Sequence, residues 1–233
     1  NTTDLFIDGY DGEGLLYDPE LVCDTEEGCD IHVVGGLNTE VFGMAPYTDP
    51  VTGETGQAVR VGLYPTMIQA SSVTLLVKIL GFIPSETPTE TQFMRMRYDC
   101  VAWPEDADNY CEKRNPDGSY VFDEIQRQGL IPGWIVETDA GPEFRTDVEL
   151  FMDAPYMHIV LNGSHNLHSY PLTMNLSGPV TFLPDGRIVI NQVNANAIPI
   201  NVELGVLLNT PEIFLKIPEG GVVLQYLGAP LKN

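Results

Sequence analysis

The last third of the chain is a series of short apolar runs separated by turn-forming pairs of residues. The runs cover residues 156–161, 166–176, 180–183, 187–193, 198–208, 213–217 and 222–227. The pairs between them are Asn162-Gly163, Gly178-Pro179, Asp185-Gly186, Thr210-Pro211 and Gly220-Gly221. Short strands that alternate with such turns are typical of antiparallel sheets. The sequence therefore predicts a mainly β fold, with an antiparallel meander, sandwich, curved sheet or barrel in the C-terminal half.

Residues 66–80 leave the choice between helix and strand open. β-branched side chains such as Val73 and Val77 favour a strand. Pro65 before the segment and Gly81 after it fit the two ends of a helix equally well. The sequence thus allows one helix near residues 66–80, which would make the fold α+β.

Charge is distributed unevenly along the 233 residues. Thirteen acidic residues and no Lys or Arg lie in residues 1–59, where turn pairs such as Asp11-Gly12 and Gly35-Gly36 are frequent. We therefore expect residues 1–58 to form an acidic, loop-rich segment with one clear strand, 31–34. Residues 59–233 are expected to form a mainly β body, in one domain together with the N-terminal segment.

Several classes of function are disfavoured by composition and motifs. A net charge of −22 with only 11 Lys and Arg opposes binding to nucleic acid, whose phosphates require clustered bases. The sequence contains no G-x-S-x-G, P-loop or dinucleotide-binding motif. His158, His165 and His168 cannot all share one face of the predicted hairpin, which argues against a zinc site. We therefore predict a protein that is not an enzyme.

Four cysteines indicate the compartment. Cys23, Cys29, Cys100 and Cys111 lie in acidic sequence without zinc-ligand spacing. We expect disulfides between Cys23 and Cys29 and between Cys100 and Cys111, the shorter loops among three possible connectivities. Disulfides imply the periplasm or the cell exterior. A signal peptide or a lipid-modified tether upstream of Asn1 is part of this prediction.

The apolar runs suggest what the protein binds. Residues 198–208 and 221–227 are apolar on both strand faces almost throughout, so both faces should be covered. Either a two-layer core covers them, or one face lines a cavity for an apolar ligand. The candidate ligand-binding residues are Val73, Leu75, Val77, Ile79, Ile198, Ile200, Val202, Leu204 and Leu207.

The acidic residues offer one candidate metal site. Asp8, Asp11 and Glu13 crowd a Gly-rich stretch and could supply the hard oxygen ligands that Ca²⁺ prefers. They do not match the spacing of a Ca²⁺-binding loop, and a solvated acidic surface is the favoured explanation. No other cofactor is indicated.

These observations predict a non-catalytic, extracytoplasmic binding protein for a lipid, fatty acid or hydrocarbon. It would act as a transport accessory or lipoprotein, with an apolar small molecule or lipid and a membrane transport protein as partners. The alternative is a secreted structural or adhesion module with an acidic, calcium-binding surface. A hydrolase is the third possibility.

Overall fold

The computed structural model describes residues 2–11, 20–22, 29–79, 83–89, 92–96, 112–154, 157, 163–205 and 212–228. Within these ranges the protein is mainly β, which confirms the predicted fold class. The strands are β1 (Thr2–Asp11), β2 (Glu20–Val22), β3 (Cys29–Val34), β4 (Asn38–Thr48), β5 (Thr55–Tyr64), β6 (Met67–Ala70), β7 (Thr74–Ile79), β8 (Ile83–Pro88), β9 (Gln92–Met96), β10 (Ile131–Thr138), β11 (Gly141–Asp153), β12 (Ser164–His165), β13 (Tyr170–Phe182), β14 (Ile188–Asn194), β15 (Ile198–Gly205), β16 (Glu212–Ile217) and β17 (Val222–Leu227). A four-residue helix, α1 (Glu124–Arg127), precedes β10.

Fourteen of these strands form one antiparallel sheet. Its main order is β12-β15-β16-β1-β17-β14-β13-β11-β10-β5-β4, and β3, β6 and β9 link β1 to β11. The pairings therefore run through a circuit of eight strands, namely β1, β3, β6, β9, β11, β13, β14 and β17. The sheet as a whole is not a closed barrel, because six further strands extend from this circuit. β2, β7 and β8 form a separate three-stranded sheet.

One of the two longest pairings joins β11 to β13 over ten residues of each strand. Val148 and Leu150 of β11 are 1% exposed, whereas Glu149 between them is exposed. This two-residue period puts one strand face in the core and the other in water. The predicted Asp185-Gly186 turn connects β13 to β14, with Gly186 at φ +83°, a conformation that glycine adopts without strain.

The predicted turn at Gly178-Pro179 is wrong, because both residues lie inside β13. A Cβ atom at position 178 would collide with the backbone carbonyl of Asn191 in the neighbouring strand β14. Gly178 therefore permits a close approach of two backbones, which is a second reason for glycine to occur within a strand.

The helix that the sequence allowed near residues 66–80 is absent from the described residues 66–79, which contain β6 and β7. β6 pairs with β3 and β9, and β7 pairs with β2 and β8. Val73, Leu75 and Val77 are buried on one face. The β-branched residues thus decided the outcome once strand partners were available.

The described part of residues 1–58 is rich in strands, although the composition predicts a loop-rich segment. Most of the described part lies in β1, β3, β4 and the beginning of β5. Acidic residues such as Asp8 and Glu40 occupy solvent-facing positions of these strands. A strand with one wet face carries polar residues on that face, so its composition resembles that of a loop.

Two strands that were expected to be covered on both faces have one wet face. In β15, Pro199 and Glu203 are exposed while Ile198, Ile200 and Val202 are buried. In β17, Val223 and Leu227 are 45% and 60% exposed. Single apolar side chains are normal on protein surfaces, so an apolar run does not by itself show that both faces are covered.

Candidate apolar binding cavity

The inward faces of the sheet surround a cavity of about 60 Å³. Its wall takes residues from β1, β3, β6, β7, β9, β11, β13, β15, β16 and β17, and from the segments between them. Except for the half-buried Met94, every residue of the wall is at most 8% exposed. One water needs about 10–15 Å³ of such space, so this interior cavity could hold a guest larger than one water.

The wall is almost entirely apolar. Twenty of its 23 described residues are apolar, three are polar and none is charged. The apolar residues are Leu5, Ile31, Val33, Ile68, Ala70, Val73, Leu75, Met94, Met152, Met157, Leu167, Leu172, Met174, Ile198, Ile200, Val202, Leu215, Ile217, Val222 and Leu224. Apolar cavities of this kind stay dry and accept apolar guests, since water finds few hydrogen-bonding partners in them.

Five of the nine residues predicted to bind ligand lie on this wall: Val73, Leu75, Ile198, Ile200 and Val202. Val77 and Leu204 are buried in the core but do not line the cavity. The side chain of Ile79 and the whole of Leu207 lie outside the described residues. The structure thus brings together two segments that are more than 120 residues apart in sequence.

Four methionines on the wall were missed by sequence reasoning. Met94, Met152, Met157 and Met174 are four of the seven methionines of the chain. Methionine is unbranched and polarizable, so its side chain adapts to guests of different shape. In the sequence, Met157 and Met174 fall within apolar runs, which is equally typical of an ordinary core, whereas Met94 and Met152 lie outside those runs.

Two of the three polar wall residues are joined in a hydrogen-bond network. The Val73 amide donates to Thr89 Oγ1 over 2.9 Å, and the Thr89 hydroxyl donates to the Val73 carbonyl over 3.0 Å. Gln92 Nε2 donates to Thr89 Oγ1 over 3.3 Å. Thr89 and Gln92 are 3% and 7% exposed. The third polar residue is Thr3 of β1.

The inward face of β8 is also polar. Ser85 and Thr87 are buried opposite Val77 and Leu75 of β7, and neither hydroxyl oxygen has a hydrogen-bond partner among the described residues. Ser85, Thr87 and Thr89 alternate along the chain and therefore lie on one face. A polar stripe thus runs along an otherwise apolar interior.

A second cavity of about 10 Å³ adjoins the first. It shares Val33, Ile68 and Leu224 with the wall of the larger cavity, and Gly35, Gly36, Leu37, Thr66, Met96 and Tyr226 complete it. Burial raises the pKa of Tyr226 to about 12. This smaller space is enough for about one water molecule.

The structure places the candidate calcium residues differently from the prediction. Asp8 and Asp11 lie in strand β1, not in a Gly-rich loop, and Glu13 lies outside the described residues. Asp8 Oδ1 is 3.7 Å from Lys216 Nζ across the β1–β16 pair. Within the described ranges, no group of three or more His, Cys, Asp or Glu side chains is placed to hold a metal. Calcium binding stays a prediction.

Histidine and cysteine add little to the site. The rings of His165 and His168 are stacked 4.3 Å apart, and burial lowers the pKa of His165 with a further contribution from His168. Cys29 is buried and disulfide-bonded. Cys23, Cys100 and Cys111 lie outside the described residues, so the predicted pairing stays a prediction. No helix among the described residues has the length and apolar character needed to cross a membrane.

Comparison with known proteins identifies a relative of similar sequence. No protein-family model matches the chain, and no solved structure matches it. In an alignment of 216 positions that covers 87% of this chain, the sequence is 39% identical to Alkane uptake protein B of Marinobacter nauticus. The matched region is 18% of that relative, so the chain spans less than a fifth of its length. The name describes uptake of alkanes and not a catalysed reaction.

Proposed function

We propose that this chain is a non-catalytic domain that binds the alkyl chain of a hydrocarbon in its interior cavity, as part of hydrocarbon uptake. The observation that carries this proposal is the buried, uncharged wall of 20 apolar residues. The similarity to Alkane uptake protein B supports an alkane as the ligand class.

The physical basis is the energy of an incompletely filled interior. Protein interiors are packed about as densely as organic crystals, and wall atoms beside a gap lose their dispersion contacts. An alkyl chain restores these contacts and leaves water at the same time, so its binding should be accompanied by a negative heat-capacity change. A charged ligand would find no counter-charge on the described wall.

The compartment and the partner are part of the same proposal. The disulfide at Cys29 supports an oxidising location outside the cytoplasm. There the domain would take up a hydrocarbon and pass it to a membrane transport protein, either directly or through other segments of a longer chain. A lipid-modified tether upstream of Asn1 is part of the same proposal.

The methionines allow a direct test. In protein labelled with ¹³C at the methionine methyl groups, n-hexane should shift the signals of Met94, Met152, Met157 and Met174, because these residues line the cavity. The signals of Met44 and Met67 should stay in place, because these side chains are 64% and 51% exposed. Single Met→Leu variants assign the signals.

The outcomes separate the candidate functions. Shifts confined to the four cavity methionines, saturating with n-hexane concentration, support the proposal. Unchanged cavity signals would refute it and leave the structural or adhesion module as the better explanation. Shifts at Met44 or Met67 alone would also refute it, since they show contact with the protein surface and not entry into the cavity.

A further inference from the structure

The hydrogen bonds of Thr89 determine how Gln92 is oriented. The single hydroxyl proton of Thr89 goes to the Val73 carbonyl, so Thr89 Oγ1 can only accept hydrogen bonds from other groups. It accepts from the Val73 amide and from Gln92. In this hydrogen-bond arrangement the Gln92 atom beside Thr89 Oγ1 is the donor Nε2.

Gln92 consequently has hydrogen-bonding groups that make no bond to the described residues. Its Oε1 atom has no hydrogen-bond partner there, and Nε2 uses one of its two N–H groups. The side chain is 7% exposed and belongs to the cavity wall. An acceptor and a donor are thus held together at one point of an apolar surface. Leaving such groups unpaired is unfavourable, and a water or a polar ligand atom would satisfy them.

This pair of groups matches one ligand chemistry. A hydroxyl both donates and accepts, so it can pair with Oε1 and with the free N–H of Gln92. A carboxylate cannot donate, carries a charge, and would meet no cation on the described wall. A plain alkane offers Gln92 neither a hydrogen-bond donor nor an acceptor.

We propose that the cavity accepts alkyl chains that end in a single uncharged hydroxyl, the class of the primary alcohols, and that Gln92 is the residue that binds this end. This inference rests on the proposed function, because it requires that an alkyl chain enters the cavity. Gln92 is here a specificity-determining residue, whereas Thr89 positions it.

The test compares two ligands of equal chain length, 1-hexanol and n-hexane, by calorimetry with the wild-type chain and with Gln92→Met. Methionine has nearly the same shape as glutamine but lacks its hydrogen-bonding groups. The variant should weaken binding of 1-hexanol about tenfold, the effect of roughly one net hydrogen bond, and leave n-hexane binding unchanged or tighter. Thr89 keeps both bonds to Val73 in this variant, so the local structure should persist.

Thr3→Val is the matched control, since it removes the third polar group of the cavity wall. This variant should leave the ratio of the affinities for 1-hexanol and n-hexane unchanged. If Thr3→Val changes this ratio and Gln92→Met does not, the assignment of the hydroxyl-binding role to Gln92 is wrong. Hexanoate at pH 7 should bind the wild-type chain at least tenfold more weakly than 1-hexanol. Equal or tighter binding of hexanoate would also overturn the proposal.

A second measurement uses the wild-type chain alone and does not depend on the variant folding. The side-chain ¹⁵N signal of Gln92 should shift when 1-hexanol is added and shift much less with n-hexane. If n-hexane binds but the alcohol gives no specific effect at Gln92, this inference fails and the proposed function stands. If neither ligand binds, the proposed function itself fails.

Discussion

Replacing Ala70 by Val should make the protein more stable and at the same time reduce hydrocarbon binding. Ala70 is the smallest side chain on the cavity wall and lies on strand β6, where a β-branched residue is well tolerated. Its two added carbon atoms would occupy space that is now empty. Stability and binding should therefore change in opposite directions.

The magnitude follows from the cavity. At about 24 cal/mol per Å³, a cavity of about 60 Å³ lowers the free energy of unfolding by about 1.4 kcal/mol. Burial of two further carbon atoms contributes about 1.6 kcal/mol at ~0.8 kcal/mol each. Both calculations predict that Ala70→Val increases the free energy of unfolding by about 1–2 kcal/mol, after a reduction for strain from imperfect fit.

Ala58→Val provides the matched control. Ala58 is also buried on a strand, at 2% exposure, but it lines neither cavity. Adding the same two carbon atoms to a filled region should destabilise the protein by about 1–3 kcal/mol. Urea denaturation measures both free energies, and calorimetry with n-hexane measures binding to each variant.

Two results would refute the reasoning. If Ala70→Val is destabilised as much as Ala58→Val, the wall beside Ala70 has no free space. If Ala70→Val is stabilised but binds n-hexane with unchanged affinity, the alkyl chain binds elsewhere. We expect the affinity of Ala70→Val for n-hexane to fall at least tenfold.

Three further predictions concern titration and ions. Burial raises the pKa of Tyr226 to about 12, so the unfolded chain loses this proton before the folded chain does as the pH rises above 10. The free energy of unfolding should therefore fall by about 1 kcal/mol at pH 11, and alkaline melts of Tyr226→Phe should lack this decrease. Hydrogen bonds from the Thr52 amide and Arg145 lower the pKa of Asp49 to about 2, so the stabilising effect of Asp49 is complete above pH 4 and is lost towards pH 2. Acid melts of Asp49→Asn should lack this loss of stability, and an acid sensitivity equal to that of the wild-type chain would contradict the prediction. If Asp8 and Asp11 only form a solvated surface, Ca²⁺ and NaCl at equal ionic strength should raise the melting temperature equally. A larger increase with Ca²⁺ that is abolished by Asp11→Ala would establish a metal site.

The strands and some of the turns could be predicted from the sequence. Strand β14, which corresponds to the apolar run 187–193, and the Asp185-Gly186 turn before it depend on residues that are neighbours in the chain, so a local pattern is sufficient. The same local view was wrong at Gly178, where a glycine serves the close approach of Asn191 from another strand. It also left residues 66–80 undecided, because β6 and β7 pair with β3 and β2, which are distant in sequence.

The cavity was predictable only in part. Apolar strand residues identified Val73, Leu75 and Ile200 as candidates, but the same pattern describes a filled core, and it gave no reason to single out Met174 or Gln92. Whether inward faces meet or leave a gap depends on the register of strands that are distant in sequence, such as β1 with β3 and β16. The sequence by itself thus determined which faces of the strands are apolar. Only the tertiary structure decided where these faces fail to fill the interior, because packing is a property of side chains that meet in space and not along the chain.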